Sequence, residues 1–431
     1  MHVVFFSDQH LESFGGAQVS MRLQKQYLER AGHTVTVVAP AMHGPRARSA
    51  RRDPGYIDLP SIPITWDREY SFTWPGRRTD AWLDRRMAAL PPIDLVHVQA
   101  DFWGGFIGHR FARRHGLPVV HTMHNRVSVG IHAVSPFPRL TLRLLNWWQR
   151  RVLGAPGRPL STPVRIRRSA PNSDGSPPET RNRSDAPNSG KGTADGWTYL
   201  RGLAAGADAV TAPSSHFARR LEQHAVFPQV DVVWNGIDDD VLDELLPEVG
   251  RPRRPGRPRF VWLGRMSPEK RLLPFLEAAA ESGIDAEVHV LGGGRQLRAA
   301  QRIVRRRGPQ ASVVFGGRLP YTDVLRLIAD ADALVQTSIG FETQGMTPFE
   351  AASLGTPTVM SDPDIAAELG SGFWQVPDAS VAALAQTLRR AAADIEAGTP
   401  PAVDPEVREL FRQSSRTAAM LEIYERVLAA R

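Results

Sequence analysis

The sequence predicts an α/β fold in which two doubly wound, parallel-sheet domains of similar size face one another across a cleft. Three observations carry that expectation. Short apolar runs alternate with amphipathic stretches from the first residues onward, the alternation restarts after a Pro/Arg-rich segment at 247–259, and 431 residues are too many for one ordinary core. The expected division is a first domain over 1–246, a stiff linker over 247–259, a second domain over 260–403 and a final helix over 404–431 that returns to brace the first domain.

Taken in order, His2 to Phe6 is an apolar run of the kind buried on both faces of a parallel sheet. A loop with Gly15 and Gly16 then leads into a helical pattern that runs to about Arg30 and is stopped by Gly32. Thr34 to Val38 is the second strand. Further units are Leu95 to Val98 with the helix Trp103 to His115, and Val119 to His121 with a loop carrying His124. Ala209 to Thr211 with the helix Ser214 to His224, then Val232 to Trp234, close the first series. Between Ala155 and Gly196 there is no aromatic residue and much Pro, Gly, Ser, Asn and Arg, the composition of a disordered insertion. The second series has strands Phe260 to Leu263, Glu287 to Leu291, Ser312 to Phe315, Ala333 to Gln336 and Thr358 to Val359. Its helices are expected from about Lys270, after Gly292-Gly293-Gly294, over Tyr321 to Ala329 and over Thr347 to Leu354, with a last one over Pro405 to Ala430.

Composition narrows the chemistry. The chain is 42% hydrophobic and 23% charged, an ordinary globular balance. It has no cysteine, which excludes disulfides, thiolate metal sites and a Cys nucleophile. No apolar run approaches the roughly 18–20 residues of a spanning helix, and the start MHVVFFSDQH lacks the regions of a signal peptide, so a cytoplasmic location is expected. A formal charge of +8 suits nucleic acid or an anionic membrane, although Arg-rich linkers supply much of the excess. No zinc-finger spacing or aromatic RNA-binding motif is present, so nucleic acid is not an expected partner.

Two motifs point to chemistry. Gly264-Arg265 ends a strand, and Lys270 follows near a helix start; a guanidinium fork and an ammonium at a helix N-terminus suit a diphosphate, although a solvated basic helix start would look the same. Glu342 precedes Glu350 in GFETQGMTPFEAASLGTP. With a helix from Thr347, Glu350 falls in its first turn and Glu342 in the loop before it, so both carboxylates can line one pocket and accept vicinal hydroxyls. The stretch Thr343 to Thr347, including Gly345 and Met346, would also turn backbone N–H groups toward an anion. Either Glu alone reads first as a surface or capping carboxylate.

The combined pattern, Gly264-Arg265 with Lys270, then Glu342 with Glu350, then Gly355-Thr356-Pro357, resembles retaining glycosyltransferase family 4, whose fold is GT-B. Gly15-Gly16-Ala17-Gln18, Pro118 to His124 (PVVHTMH) and Asn235-Gly236-Ile237-Asp238 are similar to that family as well. The resemblance implies that Arg265 and Lys270 hold the donor diphosphate, Glu350 the ribose and Glu342 the sugar hydroxyls. It further implies that His124 lies against the donor sugar and that Gly15 and Gly16 admit a phosphate or the acceptor. Glu342-Thr343-Gln344-Gly345 departs from the common Glu-Gly-Phe-Gly form, and Arg271 stands where Gly often follows the Lys. The Glu-Thr-Gln-Gly form and Asp58 to Pro75 are similar to relatives that glycosylate diacylglycerol and to mannosyltransferases of cell-envelope lipids.

The resemblance thus implies hexose transfer from a nucleotide diphosphate sugar, GDP-mannose or a UDP-hexose, to a lipid or glycan acceptor, with no separate cofactor. The cationic set of Arg265 and Lys270, with no DxD-like acidic pair beside it at the end of the same strand, implies metal independence. Leu140 to Leu153 (LTLRLLNWWQRRVL) has the composition of an interfacial helix, so a peripheral position on an anionic inner membrane face is one expectation; a helix buried in the first domain with a basic edge is the other. A GT-B epimerase or hydrolase shares the fold, and a periplasmic-type binding protein shares the paired α/β halves but needs a signal peptide.

Overall fold

A computed structural model describes residues 1–13, 15–43, 47, 53–65, 68, 70–154, 195–248 and 256–431. Most of the insertion expected over 155–196, and positions 249–255 of the expected linker, lie outside the described residues. At the insertion's far end, Asp195 already caps a helix, Gly196–Ala204, by accepting the N–H of Thr198.

The first domain holds β1 (His2–Ser7), β2 (Thr34–Pro40), β3 (Tyr56–Leu59), a small antiparallel hairpin of β4 (Ile62–Pro63) and β5 (Ser71–Phe72), then β6 (Leu95–Gln99), β7 (Val119–Thr122), β8 (Ala209–Ala212) and β9 (Val230–Val232). Its main sheet is parallel throughout, in the order β3-β2-β1-β6-β7-β8-β9. All six residues of β1 are buried, because helices cover both faces of a central parallel strand. Val4, Phe6, Val96 and Val98 point into one core layer, and Val3, Phe5, Val35, Val37 and Leu95 into the other.

The second domain repeats the scheme with β10 (Arg259–Arg265), β11 (Glu287–Gly293), β12 (Ser312–Gly317), β13 (Ala333–Gln336), β14 (Thr358–Met360) and β15 (Phe373–Gln375), again parallel, in the order β12-β11-β10-β13-β14-β15. The expected strand Val232 to Trp234 lies two residues too late, since β9 is Val230–Val232 and Trp234 already belongs to the passage between the domains.

The chain passes between the domains twice, and the two passages are tied together. The Ile237 N–H donates to the Phe411 carbonyl at 2.9 Å and the Gln413 N–H to the Ile237 carbonyl at 2.8 Å. That tie explains why the single last helix expected over Pro405 to Ala430 is two, Glu406–Phe411 and Gln413–Ala429: Arg412 adopts an extended backbone to bridge Ile237. The final helix lies on the first sheet, where Met420, Ile423 and Val427 join the layer of Val3 and Phe5, and Tyr424 Oη is 2.6 Å from His97 Nδ1.

Side chains also clasp the domains. Glu368, on the helix Pro363–Leu369, accepts the Ser215 N–H and the Trp234 indole N–H, each at 2.8 Å. Burial alone would raise its carboxyl, but hydrogen bonds from His216, Ser215 and Trp234 hold it down at about 2. Gln344 Oε1 accepts the N–H and side-chain amide of Asn235 at 2.9 and 2.7 Å.

Candidate active site

In each sheet the strand order reverses once, between β1 and β6 in the first and between β10 and β13 in the second. Such a reversal opens a crevice above the carboxyl ends of the two strands, where open α/β sheets take ligands.

Past β10 the chain makes a single 3₁₀ turn, Pro268–Lys270, and the helix proper is Leu272–Ser282. The helix expected from Lys270 starts later because Arg271 takes a left-handed backbone, φ 55°, that ends the turn and aims Lys270 separately. Lys270 Nζ lies 2.5 Å from Glu342 Oε1, which also accepts the Ser338 hydroxyl at 2.8 Å. Thr337, just past β13, donates to the Lys270 carbonyl at 2.6 Å and accepts the Trp262 indole N–H at 2.9 Å, fastening the turn to the sheet. Arg265 stands apart, 68% exposed, its Nε 4.0 Å from Glu269.

The loop after Glu342 turns into the helix Met346–Ser353 through Gly345 at φ 76°. A Cβ at Gly345 would stand 2.6 Å from Ile365 Cδ1, so both conformation and space call for glycine. The unpaired N–H groups and dipole of that helix start make it electropositive. Because the helix begins at Met346 rather than Thr347, Glu350 sits in its second turn, not the first, and is only 4% exposed. Tyr321 Oη donates to Glu350 Oε1 at 2.8 Å. Burial pushes the Glu350 carboxyl up to about 7, against the opposing pull of that hydrogen bond.

In the first domain, Asp8 follows β1 and accepts the N–H groups of Asp101, Phe102 and Gly104 at 2.9, 3.0 and 2.8 Å, fixing the start of the helix Trp103–His115. Burial and then the Asp101 charge push its carboxyl up to about 7, although three backbone N–H groups pull the other way. Asp101 follows β6 and is fully buried; its Oδ2 accepts the His124 N–H at 3.0 Å and the Asn125 amide at 2.7 Å. It thereby fixes the loop that carries His124. Burial lowers the His124 imidazole, and its Nε2 is sealed from solvent with no hydrogen-bond partner among the described residues.

The two crevices meet. A Cβ on Gly16 would lie 3.8 Å from Met346 Sδ, which sets the glycine loop against the start of the Met346–Ser353 helix. The Thr343 hydroxyl donates to the His124 carbonyl at 3.1 Å, and the Ser214 hydroxyl donates to the Thr343 carbonyl. These contacts bring Gly16 and His124 from one side against Thr343 and Met346 from the other, with Glu342 and its partner Lys270 at the head of the same loop; Glu350 is buried against Tyr321, and Arg265 stands exposed beside Glu269. Sequence reasoning missed Asp8, Asp101, Ser338 and Tyr321. Asp8 and Asp101 each follow the carboxyl end of a core strand, a position that could have marked them; Ser338 and Tyr321 carry no pattern that links them to Glu342 and Glu350.

Residues 14–160 match the model for Glycosyltransferase Family 4, and residues 250–397 match that for Glycosyl transferases group 1, so one match falls on each sheet and together they span more than half the chain. The chain belongs to glycosyltransferase family 4. This family 4 glycosyltransferase is 22% identical over 372 residues to the alpha-monoglucosyldiacylglycerol synthase of Streptococcus pneumoniae, covering 83% of this chain and 70% of that one. Its fold is similar to HepE from Anabaena, solved with UDP and glucose, with a TM-score of 0.64, 15% identity and coverage of 99% of this chain and 100% of that one. It is also similar to sucrose-phosphate synthase from Thermosynechococcus elongatus, with a TM-score of 0.67, 16% identity and coverage of 100% and 99%. The fold of the family 4 chain is thus GT-B.

Proposed function

We propose that this glycosyltransferase moves a hexose from a UDP-sugar to a hydroxyl of a membrane glycolipid or diacylglycerol, with retention at the anomeric carbon and without a metal ion. The observation that carries the reading is the pairing of Lys270 with Glu342 beside the Met346–Ser353 helix start, facing Gly16 across the cleft. A diphosphate there would meet an ammonium, a guanidinium at the rim and a helix dipole, all of the sign that stabilises a departing anion.

In this reading Glu350 accepts the ribose hydroxyls and Glu342, relieved of part of its contact with Lys270, those of the sugar. His124, whose Nε2 lacks a partner among the described residues, meets the sugar from the first domain. The acceptor oxygen attacks the anomeric carbon on the face from which the phosphate leaves; the bond to the phosphate oxygen breaks, the new glycosidic bond forms, and the acceptor proton passes to the leaving phosphate. Lys270, Arg265 and the helix start stabilise the charge that develops on that phosphate.

Support for the donor comes from HepE, whose structures carry UDP and UDP-glucose, and for the acceptor from the streptococcal glucosyldiacylglycerol synthase. Among the described residues no helix is long and apolar enough to cross a membrane. Access to lipid would then be from the inner face of the membrane as a peripheral protein.

The test is incubation of the full chain with labelled UDP-glucose, UDP-galactose or GDP-mannose and diacylglycerol vesicles. Label from a UDP-sugar in the lipid fraction is expected. Release of free sugar alone identifies a hydrolase, and transfer only from GDP-mannose overturns the donor assignment.

A further inference from the structure

The first domain exposes large apolar side chains at two places far apart in sequence. On the helix Pro138–Leu153, Leu140, Leu144 and Trp147 are each more than half exposed, as is Phe137 just before it. Their spacing sets them on the side opposite Leu142, Asn146 and Gln149, which are buried in the domain. At the β4–β5 hairpin, Ile62, Ile64 and Trp74 are each more than half exposed too.

These two places form one surface. The Trp74 ring lies 5.8 Å from that of Trp148, on the same helix, and 5.7 Å from Phe72. Phe72 in turn is 5.2 Å from Trp103, whose indole N–H donates to the Asp8 carbonyl at 2.7 Å. An aromatic run therefore leads from the exposed hairpin to Asp8, at the carboxyl end of β1 beside the first-domain crevice.

Charge decides what covers this surface. Exposed Arg139, Arg143 and Arg150 line one border of the helix stripe, exposed Arg77 and Arg78 follow Trp74, and the helix Pro138–Leu153 contains no acidic residue. Apolar side chains flanked by cations fit the boundary layer of an anionic bilayer, where rings and aliphatic groups enter the headgroup region and guanidinium groups meet lipid phosphates. A complementary protein would have to be both acidic and apolar over the same span.

We propose that the hairpin edge of Ile62, Ile64 and Trp74 is a membrane contact in its own right, which seats with the Pro138–Leu153 helix on an anionic leaflet and delivers a lipid headgroup along Trp74, Phe72 and Trp103 to the cleft. The inference rests on the reading of a lipid acceptor for the headgroup's passage, whereas the docking itself can be measured without any transfer.

The experiment is co-sedimentation of the full chain with vesicles of phosphatidylcholine alone or with about 30% phosphatidylglycerol, an anionic fraction chosen to give a marked surface potential. Three variants are compared: Ile62→Ser/Ile64→Ser/Trp74→Ser, Leu140→Gln/Leu144→Gln/Trp147→Gln, and Arg139→Gln/Arg143→Gln/Arg150→Gln. Wild type is expected to bind the anionic vesicles, and each apolar triple to lose about tenfold or more in partitioning. At about fivefold per Arg, the charge triple should lose about a hundredfold. All variants should keep the thermal stabilisation by UDP; if the hairpin triple loses it, Trp74→Ser alone carries the comparison. Hairpin variants that bind like wild type, or a wild type that binds neither vesicle, would overturn the proposal. So would light scattering that shows a dimer converted to monomer by the hairpin changes, because the face would then be an interface between copies. Docking without transfer to any lipid leaves the surface standing and removes only the acceptor reading.

Discussion

Replacing Lys270 by Ala removes the cation closest to Glu342 and leaves that carboxylate, 15% exposed, with the Ser338 hydroxyl. Lys270 is 25% exposed, so the pair is neither a free surface bridge, worth about 0–1 kcal/mol, nor a fully buried one, whose disruption costs about 3–5 kcal/mol. A loss of about 1–2 kcal/mol in stability is expected, since Glu342 keeps a hydrogen bond and gains access to water. The effect on turnover should be larger. Removing one preorganised group that stabilises a developing anion costs about 2.7–4 kcal/mol, or about 10²- to 10³-fold in kcat. The assay is labelled-hexose transfer at saturating donor, run beside thermal unfolding with and without UDP. A variant that melts within a few degrees of wild type but turns over at least about a hundredfold more slowly is the expected result. Turnover within about fivefold of wild type would refute the assignment of Lys270 to the leaving phosphate.

Three further outcomes follow from the geometry. With Glu350 pushed up to about 7, kcat/KM for the donor should rise with pH through that value, because the ionised carboxylate can accept both ribose hydroxyls; Tyr321→Phe, which removes the hydrogen bond that lowers the carboxyl, should shift the rise to higher pH, and an unchanged profile would remove Tyr321 as its positioning residue. Gly345→Ala places a Cβ 2.6 Å from Ile365 Cδ1 on a left-handed backbone, so denaturant unfolding should show a loss of about 2–4 kcal/mol, with weaker UDP binding. Glu368, held at about 2 against an ordinary value of 4.5, contributes stability that is fully present above 4.5 and is lost as pH falls toward 2; Glu368→Gln should cost about 2–3 kcal/mol at pH 7, a deficit that narrows below pH 4 in denaturant titrations.

The central strands were legible because burial on both faces leaves a continuous apolar run, as in His2 to Phe6 and Phe260 to Leu263. The edge strands β3, with YIDL, and β15, with FWQ, were not legible: each is four residues or fewer and borrows its pairing from a neighbour on one side. Element ends shifted wherever a single backbone conformation intervened. Arg271 delays one helix, Gly345 starts another at Met346, and Arg412 divides the last helical stretch to bridge Ile237. Lys270, Glu342 and Glu350 were legible only as a set, through the combined pattern that resembles the family, since each alone also reads as an ordinary surface or capping charge. Tyr321 and Ser338 were not, because only the reversal of strand order at β10 and β13 gathers the elements that carry them. The hairpin beside Ile64 and Trp74 left no strand pattern, since β4 and β5 are two residues each with seven positions between them; only the likeness of Asp58 to Pro75 to lipid-directed relatives marked the stretch.

The proposal of retaining transfer to lipid turns most directly on the anomeric configuration of the product. UDP-glucose labelled with ¹³C at the anomeric carbon, incubated with the full chain and diacylglycerol vesicles, gives a glycolipid whose configuration NMR reads from the anomeric coupling. Retention predicts an α-linked glucolipid from the α-configured donor; a β-linked product, or free glucose as the sole labelled species, would contradict it.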